Sequence, residues 1–381
     1  MRFNHLFRVL ISISLLILCQ ATRAEPMLNG IGVHQELGRE VFIGALYSES
    51  LSNDADTLIN NTQAMRMDLK IVAPEGLTTR RFSRMWIEGM AVNNKADALT
   101  AQADNMVKFD GLFKGRFVKD DIISFTTSPG KGVNIAVNGV LLGNIKDNVF
   151  FSMLLSTWIG KIPLSSDYRD SLLKVGDVNA ALRSRFDAIA PTAARTTEVK
   201  AWAGPQVEIK DTKVADAASS KAPTTAKAGA AAVAANELAK PDAAATDKPA
   251  TQAGKTAPVA AKPATKVSDE DDDGPALTAQ SLLARQFYVS DAIKKIRGKT
   301  KYPQRAQDRA QAGSVRVSVV IDGQGNILSS SILESSEFDL LNKEALDAVK
   351  RSAPFPALPA EIGGGRFEFT VPIRWTLPPQ R

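Results

Sequence analysis

Residues 313–334 read GSVRVSVVIDGQGNILSSSILE, and this stretch decides the fold of the C-terminal part of the chain. Residues 322–325 (DGQG) are rich in turn formers, and a second strand-like run follows at 326–333. The first half alternates apolar and polar positions, as a strand with one buried face does, at Val315, Val317, Val319 and Ile321. The pattern predicts a β-hairpin with a glycine-containing loop.

Two further elements follow the hairpin. A helix with one apolar face is predicted from the spacing of Phe338, Leu341, Ala345 and Val349. The last strand has an apolar face made of Phe367, Phe369, Val371, Ile373 and Trp375. Its other face carries Glu368, Thr370 and Arg374. With a helix before the hairpin, residues 277–381 are predicted to form a small α+β domain with a three-stranded antiparallel sheet.

An alanine-rich stretch precedes this domain. No aromatic residue occurs between Trp202 and Phe287, and 21 of the 51 residues from 215 to 265 are alanine. Such a composition cannot bury enough apolar surface to offset the entropy that ordering would cost. Prolines interrupt any long helix, at Pro223, Pro241, Pro249, Pro258 and Pro263. Residues 191–276 are therefore predicted to be a flexible linker.

Residues 26–190 mix strand and helix patterns. Residues 65–71 alternate in polarity, which predicts a half-buried strand. Asn138-Gly139 between two apolar runs predicts a hairpin with a tight primed turn. Helical spacing is seen for Phe82, Met85, Trp86 and Met90. This block is predicted to be α+β, with an antiparallel sheet and helices.

The first 24 residues have the layout of a secretory signal peptide. Arg2 and Arg8 precede an apolar run from residue 9 to residue 19, and Ala24 offers a small residue at the cleavage position. Cleavage removes three arginines and no acidic residue, which lowers the formal charge from +6 to +3. We expect a periplasmic protein with no nucleic-acid partner. The alternative is an uncleaved anchor in the inner membrane.

Two absences limit the chemistry of the mature chain. Its only cysteine, Cys19, lies in the predicted signal peptide, and His34 is its only histidine beyond that segment. This excludes zinc sites built on Cys, Cys-His nucleophiles, and any Ser-His-Asp triad without His34. The S-x-x-K pattern at residues 171–174 lacks the companion motifs of acylating serine enzymes. No catalytic residue, metal or cofactor is predicted.

Short motifs follow one another along the C-terminal block: Tyr302-Pro303-Gln304-Arg305-Ala306, Gly313-Ser314-Val315, Asp322-Gly323, Ser335-Ser336 and Pro354-Phe355-Pro356. In this order and spacing the block resembles the TonB C-terminal domain family. Domains of that family accept an extended peptide by strand addition. The resemblance therefore implies, as partner, a peptide segment of a periplasmic or outer-membrane protein.

The last strand is the expected place for such a peptide. Pro372 has no N–H to donate, which a strand tolerates mainly at a sheet edge. Pro378 and Pro379 end the strand, so we expect its outer edge to be uncovered. Glu368, Thr370 and Arg374 are expected to select the partner from an exposed face. The full set of predicted partner-binding residues is Arg366, Phe367, Glu368, Phe369, Thr370, Val371 and Arg374.

The N-terminal block has its own motifs: Gly30-Ile31-Gly32-Val33, Ala45-Leu46-Tyr47, Lys131-Gly132-Val133 and Trp158-Ile159-Gly160-Lys161. With these it resembles the bacterial chalcone isomerase-like family. An arginine and two threonines that plant isomerases of the family use align at or near His34, at Phe42 and at Tyr168. The catalytic tyrosine has no counterpart within residues 78–94. The resemblance implies the fold without the isomerase chemistry, and an apolar small molecule as ligand near His34 and Tyr168.

Three functions remain open from the sequence. The first is a non-enzymatic periplasmic protein whose C-terminal domain binds a partner and whose N-terminal domain binds a ligand or acts as a scaffold. The second is a membrane-anchored energy transducer, although the serine–histidine motif of transducer helices is missing, since His5 precedes the apolar run. The third is isomerase or fatty-acid-binding activity of the N-terminal domain, with His34 and Tyr168 as its candidate residues.

Overall fold

The computed structural model describes residues 25–203 and 277–377. The predicted signal peptide lies outside these ranges, as does the part of the predicted linker (residues 191–276) from residue 204 onward. Both described stretches belong to one compact unit. Within them, no helix is both long enough and apolar enough to span a membrane.

The N-terminal block contains strands and helices in alternation. In chain order its elements are β1 (Met27–Glu36), β2 (Arg39–Ser48), α1 (Ala55–Ile59), β3 (Met65–Ile71), β4 (Leu77–Thr78), α2 (Thr79–Asn93), α3 (Ala96–Asp110), β5 (Arg116–Phe117), β6 (Ile122–Ser128), β7 (Gly132–Val137), β8 (Val140–Ile145), α4 (Asn148–Ile159), α5 (Ser166–Leu172), α6 (Ala180–Ala188) and α7 (Ala193–Lys200). Six strands form one antiparallel sheet in the order β1-β2-β3-β6-β7-β8, which confirms the predicted class.

The local sequence explains the turn between β7 and β8 and the starts of two helices. Asn138 and Gly139 have φ values of 53° and 77°, as the predicted primed turn between β7 and β8 requires. The Thr78 side chain accepts the Arg81 backbone N–H at the start of α2, and Asp147 accepts that of Val149 at the start of α4. Both helices therefore begin directly after a residue whose side chain caps them.

Strand β3 is covered on both faces, so the prediction of a half-buried strand is wrong in this respect. Its polar residues Asp68 and Lys70 are buried. The Lys70 ammonium donates to the backbone carbonyls of Phe186 and Ile189, at 2.8 and 2.9 Å. Phe186 lies in α6 and Ile189 directly follows that helix. This segment therefore covers the face of β3 that the alternation assigned to solvent.

The ordered part of the N-terminal block continues past residue 190, where the linker was predicted to begin. Helix α7 follows, and its Val199 is fully buried. Arg195 of this helix binds the buried carboxylate of Asp121 at 2.9 Å. A buried apolar side chain and an ion pair therefore hold this segment on the block.

The C-terminal block contains the predicted helix, hairpin, helix and strand. Its elements are α8 (Ala279–Lys299), α9 (Gln304–Asp308), β9 (Gly313–Asp322), β10 (Ile327–Glu334), α10 (Asp339–Ser352), a short 3₁₀ helix (Ala360–Ile362) and β11 (Arg366–Trp375). The sheet is antiparallel in the order β10-β9-β11, which confirms the predicted three-stranded sheet. β9 is the central strand, and β10 and β11 are its two edges.

Helix α8 contributes to the cores of both blocks. Near its start, Leu282 is fully buried in the core of the N-terminal block. Further along, other residues of α8 are buried in the core of the C-terminal block: Tyr288, Val289, Ala292, Ile293 and Ile296. One helix thus connects the two hydrophobic cores.

Candidate functional site

The outer edge of β11 is where the sequence places the partner. β11 pairs with β9 over its whole length, from Arg366 opposite Asp322 to Trp375 opposite Gly313. Its odd-numbered side chains are buried in the core, as the alternation predicts. Because backbone N–H groups of a strand point alternately to its two sides, every second residue of β11 presents its N–H to the outer edge.

Helix α2 of the N-terminal block lies against that edge. The backbone N–H of Thr370 donates to a carboxylate oxygen of Glu88 at 3.2 Å, and the Thr370 hydroxyl donates to the same oxygen. One turn earlier in α2, the Arg84 guanidinium pairs with Glu368. Residues four apart lie on one face of a helix, so Arg84 and Glu88 reach two alternate residues of β11 together.

The edge that we expected to be uncovered is therefore occupied by α2 in the structure. Of the three side chains expected on an exposed face, Glu368 and Thr370 are partly buried and only Arg374 is exposed. The Thr370–Glu88 contact joins residues that are 282 positions apart in the chain. The alternation within β11 indicates which face of the strand is apolar. It does not indicate that a helix far away in the sequence lies at the edge of the strand.

Glu88 is buried in an environment that disfavours its charge. Its Oε1 atom finds no hydrogen-bond partner among the described residues. Burial raises the pKa of Glu88 from 4.5 to about 7, against the opposing effects of Arg84 and of the hydrogen bonds from Thr370. The charge of this contact therefore changes near neutral pH.

A second group of polar contacts joins β1 to β9. Glu36 pairs with Arg81 of α2 and lies 3.4 Å from both His34 Nε2 and Arg316 Nη2. Arg316 is in the middle of β9 and only 3% exposed. Burial opposes the charge of Glu36, but Arg316, the His34 hydrogen bond and Arg81 together hold the pKa of Glu36 well below its usual value. An ionised carboxylate therefore connects the blocks here.

The tip of the β1–β2 hairpin also contacts β10. The backbone N–H of Leu37 donates to the carbonyl of Leu333 at 2.6 Å. Nearby, the Ser165 hydroxyl donates to Glu334 at 2.7 Å. We use the name interblock clasp for the polar contacts made across the two blocks by Glu36, Arg84, Glu88, Arg316, Glu368 and Thr370.

A small cavity lies inside the interblock clasp. Glu88 and Arg316 contribute to its wall, and its other lining residues include Met85, Val92, Ile162, Leu164, Ile293 and Pro372. Its volume of about 20 Å³ is that of a single water molecule. An acyl chain does not fit in this space.

The two candidate ligand-binding residues of the N-terminal block are adjacent in the structure. The rings of His34 and Tyr168 have centroids 5.9 Å apart, and the Phe42 ring packs beside both, 4.7 Å from His34 and 5.6 Å from Tyr168. All three residues are fully buried. The three positions that the resemblance aligned with functional residues thus converge, but here their rings pack against one another.

Glycines on β1 and β2 make room for Tyr168. A Cβ atom at Gly44 would be 1.6 Å from the Tyr168 hydroxyl oxygen, and one at Gly32 would be 2.9 Å from its ring. Within the described part of the chain, that hydroxyl and His34 Nδ1 have no hydrogen-bond partner. Burial lowers the pKa of His34 to about 4 and raises that of Tyr168 well above 10. Both side chains are therefore neutral at pH 7.

Sequence reasoning did not identify Arg84, Glu88 or Arg316. A signal for Glu88 was present, because it lies three residues after Met85 in the apolar-patterned helix around Trp86, whereas Arg316 lies on the face of β9 that the alternation assigns to solvent. A charged residue at a position that the pattern assigns to the interior indicates a buried ionic contact. The partner of such a contact cannot be read from the pattern.

The fold and these contacts can now be compared with known proteins. Residues 18–174 match the family model described as chalcone isomerase-like, and residues 299–377 match the model for the Gram-negative bacterial TonB protein C-terminal domain. The chain therefore combines a chalcone isomerase-like domain with a TonB C-terminal domain, as the sequence motifs indicated.

Two curated relatives agree with the TonB C-terminal part of the chain. The chain is 33% identical over 82 residues to the protein TonB of two Helicobacter pylori strains, and the match covers 22% of this chain and 27% or 28% of those proteins. The chain thus matches about a quarter of the length of these curated relatives.

The chain is also similar to solved structures. One is an Arabidopsis thaliana fatty-acid binding protein, with 20% identity, coverage of 38% of this chain and 85% of that chain, and a TM-score of 0.31. Another is the C-terminal domain of Helicobacter pylori TonB, with 26% identity, coverage of 28% and 89%, and a TM-score of 0.22.

Proposed function

We propose that this protein is a non-enzymatic periplasmic binding protein whose β11 edge receives an extended peptide from another envelope protein. The observation that carries the proposal is the edge position of β11 in a domain that matches the TonB C-terminal family. A strand at an edge offers unpaired backbone groups to an added strand.

The backbone of β11 supports this assignment residue by residue. The N–H of Thr370 points away from β9, because it donates to Glu88. The direction of the backbone N–H alternates along a strand with a period of two residues, and β11 pairs with β9 without a register shift. The nitrogen atoms of Glu368, Pro372 and Arg374 therefore point to the same side as the Thr370 nitrogen. Pro372 therefore removes an outward donor and leaves the pairing with β9 unchanged. Backbone pairing with the peptide would use Glu368, Thr370 and Arg374.

For the N-terminal domain we propose a scaffold or apolar-ligand-binding role without catalysis. Neutral His34 offers no charge, and a Tyr168 phenol with a raised pKa is a poor acid or base near neutral pH. The region aligned with the catalytic tyrosine of plant isomerases, residues 78–94, contains no tyrosine. These observations support binding or packing over turnover at this position.

The test uses peptides selected on the protein itself. Phage-displayed random octapeptides are selected on the immobilised full chain, and the affinity of the best synthetic peptide is then measured for variants at Thr370. Thr370→Pro removes the outward N–H, and the loss of a backbone hydrogen bond plus local distortion should weaken binding about tenfold. Thr370→Val keeps that N–H and should bind at least as tightly as the unmodified protein.

Folding of each variant is checked by near-UV circular dichroism. A folded Thr370→Pro variant that binds the peptide as tightly as Thr370→Val, which also lacks the hydroxyl contact with Glu88, would show that peptides do not pair with β11.

A further inference from the structure

We propose that the N-terminal domain is a displaceable cover of the β11 edge, so that a partner peptide pairs with β11 only after the interblock clasp opens. This inference rests on the proposed function, because it concerns access to the same edge. It starts from the position of α2, whose Arg84 and Glu88 contact Glu368 and Thr370.

The cover and an added strand would need the same space. A strand that joins a sheet lies about 4.8 Å from its neighbour and directs carbonyl oxygens at the outward N–H groups. In the structure, a Glu88 carboxylate oxygen lies 3.2 Å from the Thr370 nitrogen, where such a carbonyl would be. Residues of α2 and β11, including Met85, Val92 and Pro372, also line one common cavity. A peptide strand and α2 therefore exclude each other.

Apolar residues such as Val92 also pack across the two blocks, but the polar contacts of the interblock clasp favour reversible opening. Interfaces that open within a chain are more polar than permanent ones. The interblock clasp consists of charged and polar side chains, and Glu88 Oε1 and Arg316 Nη1 lack partners among the residues described. Breaking paired contacts of this kind exposes groups that water can solvate, so the net cost is smaller than for an apolar interface.

The two blocks need not separate completely for β11 to become accessible. Leu282 of α8 is buried in the N-terminal core, and Gln286 on the same helix lies against Ile87 and Met106. Because Ile87 lies in α2, the start of α8 moves together with α2 when α2 and the β1–β2 hairpin move away from the C-terminal sheet, and α8 still connects the blocks.

A reversible disulfide tests the cover in the full chain. The hydrogen bond from Leu37 to Leu333 brings two backbones to the spacing of paired strands, about 5 Å between Cα atoms, which is within reach of a disulfide. We use Leu37→Cys with Leu333→Cys in a Cys19→Ser background. The probe is the octapeptide selected on the unmodified protein. Oxidation should weaken its binding at least tenfold, and dithiothreitol should restore it.

A complementary variant weakens the cover. Arg84→Ala removes the partner of Glu368 and leaves the β11 backbone intact, so peptide affinity should increase severalfold. Arg185→Ala is the matched control, because it breaks an Arg–Glu pair with Glu40 that makes no contact with β11. Its peptide affinity should equal that of the unmodified protein.

The outcomes separate this inference from the proposed function. If Thr370→Pro binds the peptide about tenfold more weakly than Thr370→Val but complete oxidation, verified by mass, leaves the affinity unchanged, the cover is wrong and strand addition stands. If Thr370→Pro binds as tightly as Thr370→Val, which also loses the hydroxyl contact with Glu88, the proposed function fails. If Arg84→Ala does not fold, the disulfide variant still decides, because its clasp residues are unmodified.

Discussion

Two opposing effects act on the protonation of Glu88. It must accept two hydrogen bonds from Thr370, which favours the carboxylate, and it is buried, which favours the neutral acid. Burial prevails and raises the pKa to about 7. Glu88 is therefore a residue at which the interblock contact and pH are linked.

Because the pKa of Glu88 is raised, the free energy of unfolding depends on pH. Between pH 4.5 and pH 7 the folded chain holds more protons on Glu88 than the unfolded chain does, so the free energy of unfolding falls as pH rises through this range. The contribution amounts to about 3 kcal/mol, at about 1.4 kcal/mol for each unit of pKa change. His34 has the opposite effect between about pH 4 and pH 6.5, because its folded pKa is lowered.

Glu88→Gln isolates the Glu88 contribution. The quantity of interest is the free energy of unfolding of the unmodified protein minus that of Glu88→Gln. We expect this difference to fall by about 3 kcal/mol from pH 4.5 to pH 7. His34 is present in both proteins, so its contribution cancels. Urea denaturation at a series of pH values measures the difference. A difference that does not vary with pH would mean that the Glu88 pKa is not raised by burial.

At the scale of elements, α8 shows what patterns in the sequence can and cannot reveal. The motifs and alternation predicted a helix before the hairpin, and the hairpin, α10 and β11 are found as predicted. The burial of Leu282 in the core of the N-terminal block could not be predicted, since an apolar residue on a helix does not indicate which sheet it will pack against. The same holds for α2, whose apolar spacing was recognised and whose contact with β11 was not.

Leu282 gives a test of this shared helix. Leu282→Ala should lower the free energy of unfolding by about 2–5 kcal/mol, because it removes a fully buried side chain and leaves a cavity. Phe287→Ala is the control on the same helix, since Phe287 is 37% exposed. Thermal and urea unfolding of both variants measure the effect. Equal stability losses would show that the start of α8 is not buried against the N-terminal block.

In the whole molecule, two blocks share one helix and are joined by polar contacts at a sheet edge. Patterns in the sequence predicted the α+β class of both blocks and the edge strand, and a family resemblance aligned His34, Phe42 and Tyr168 with functional residues, which the structure places side by side. The sequence could not predict that one block covers the binding edge of the other, because no local pattern encodes contacts between distant parts of a chain.

The central claim is that a partner peptide pairs with the outer edge of β11. Amide hydrogen exchange of the full chain, measured with and without the selected octapeptide, tests it most directly. Outward N–H groups become hydrogen-bonded when a strand is added, so the account predicts slower exchange at the amides of Glu368 and Arg374 when peptide is bound. Slowing confined to β10, with the β11 amides unchanged, would contradict it.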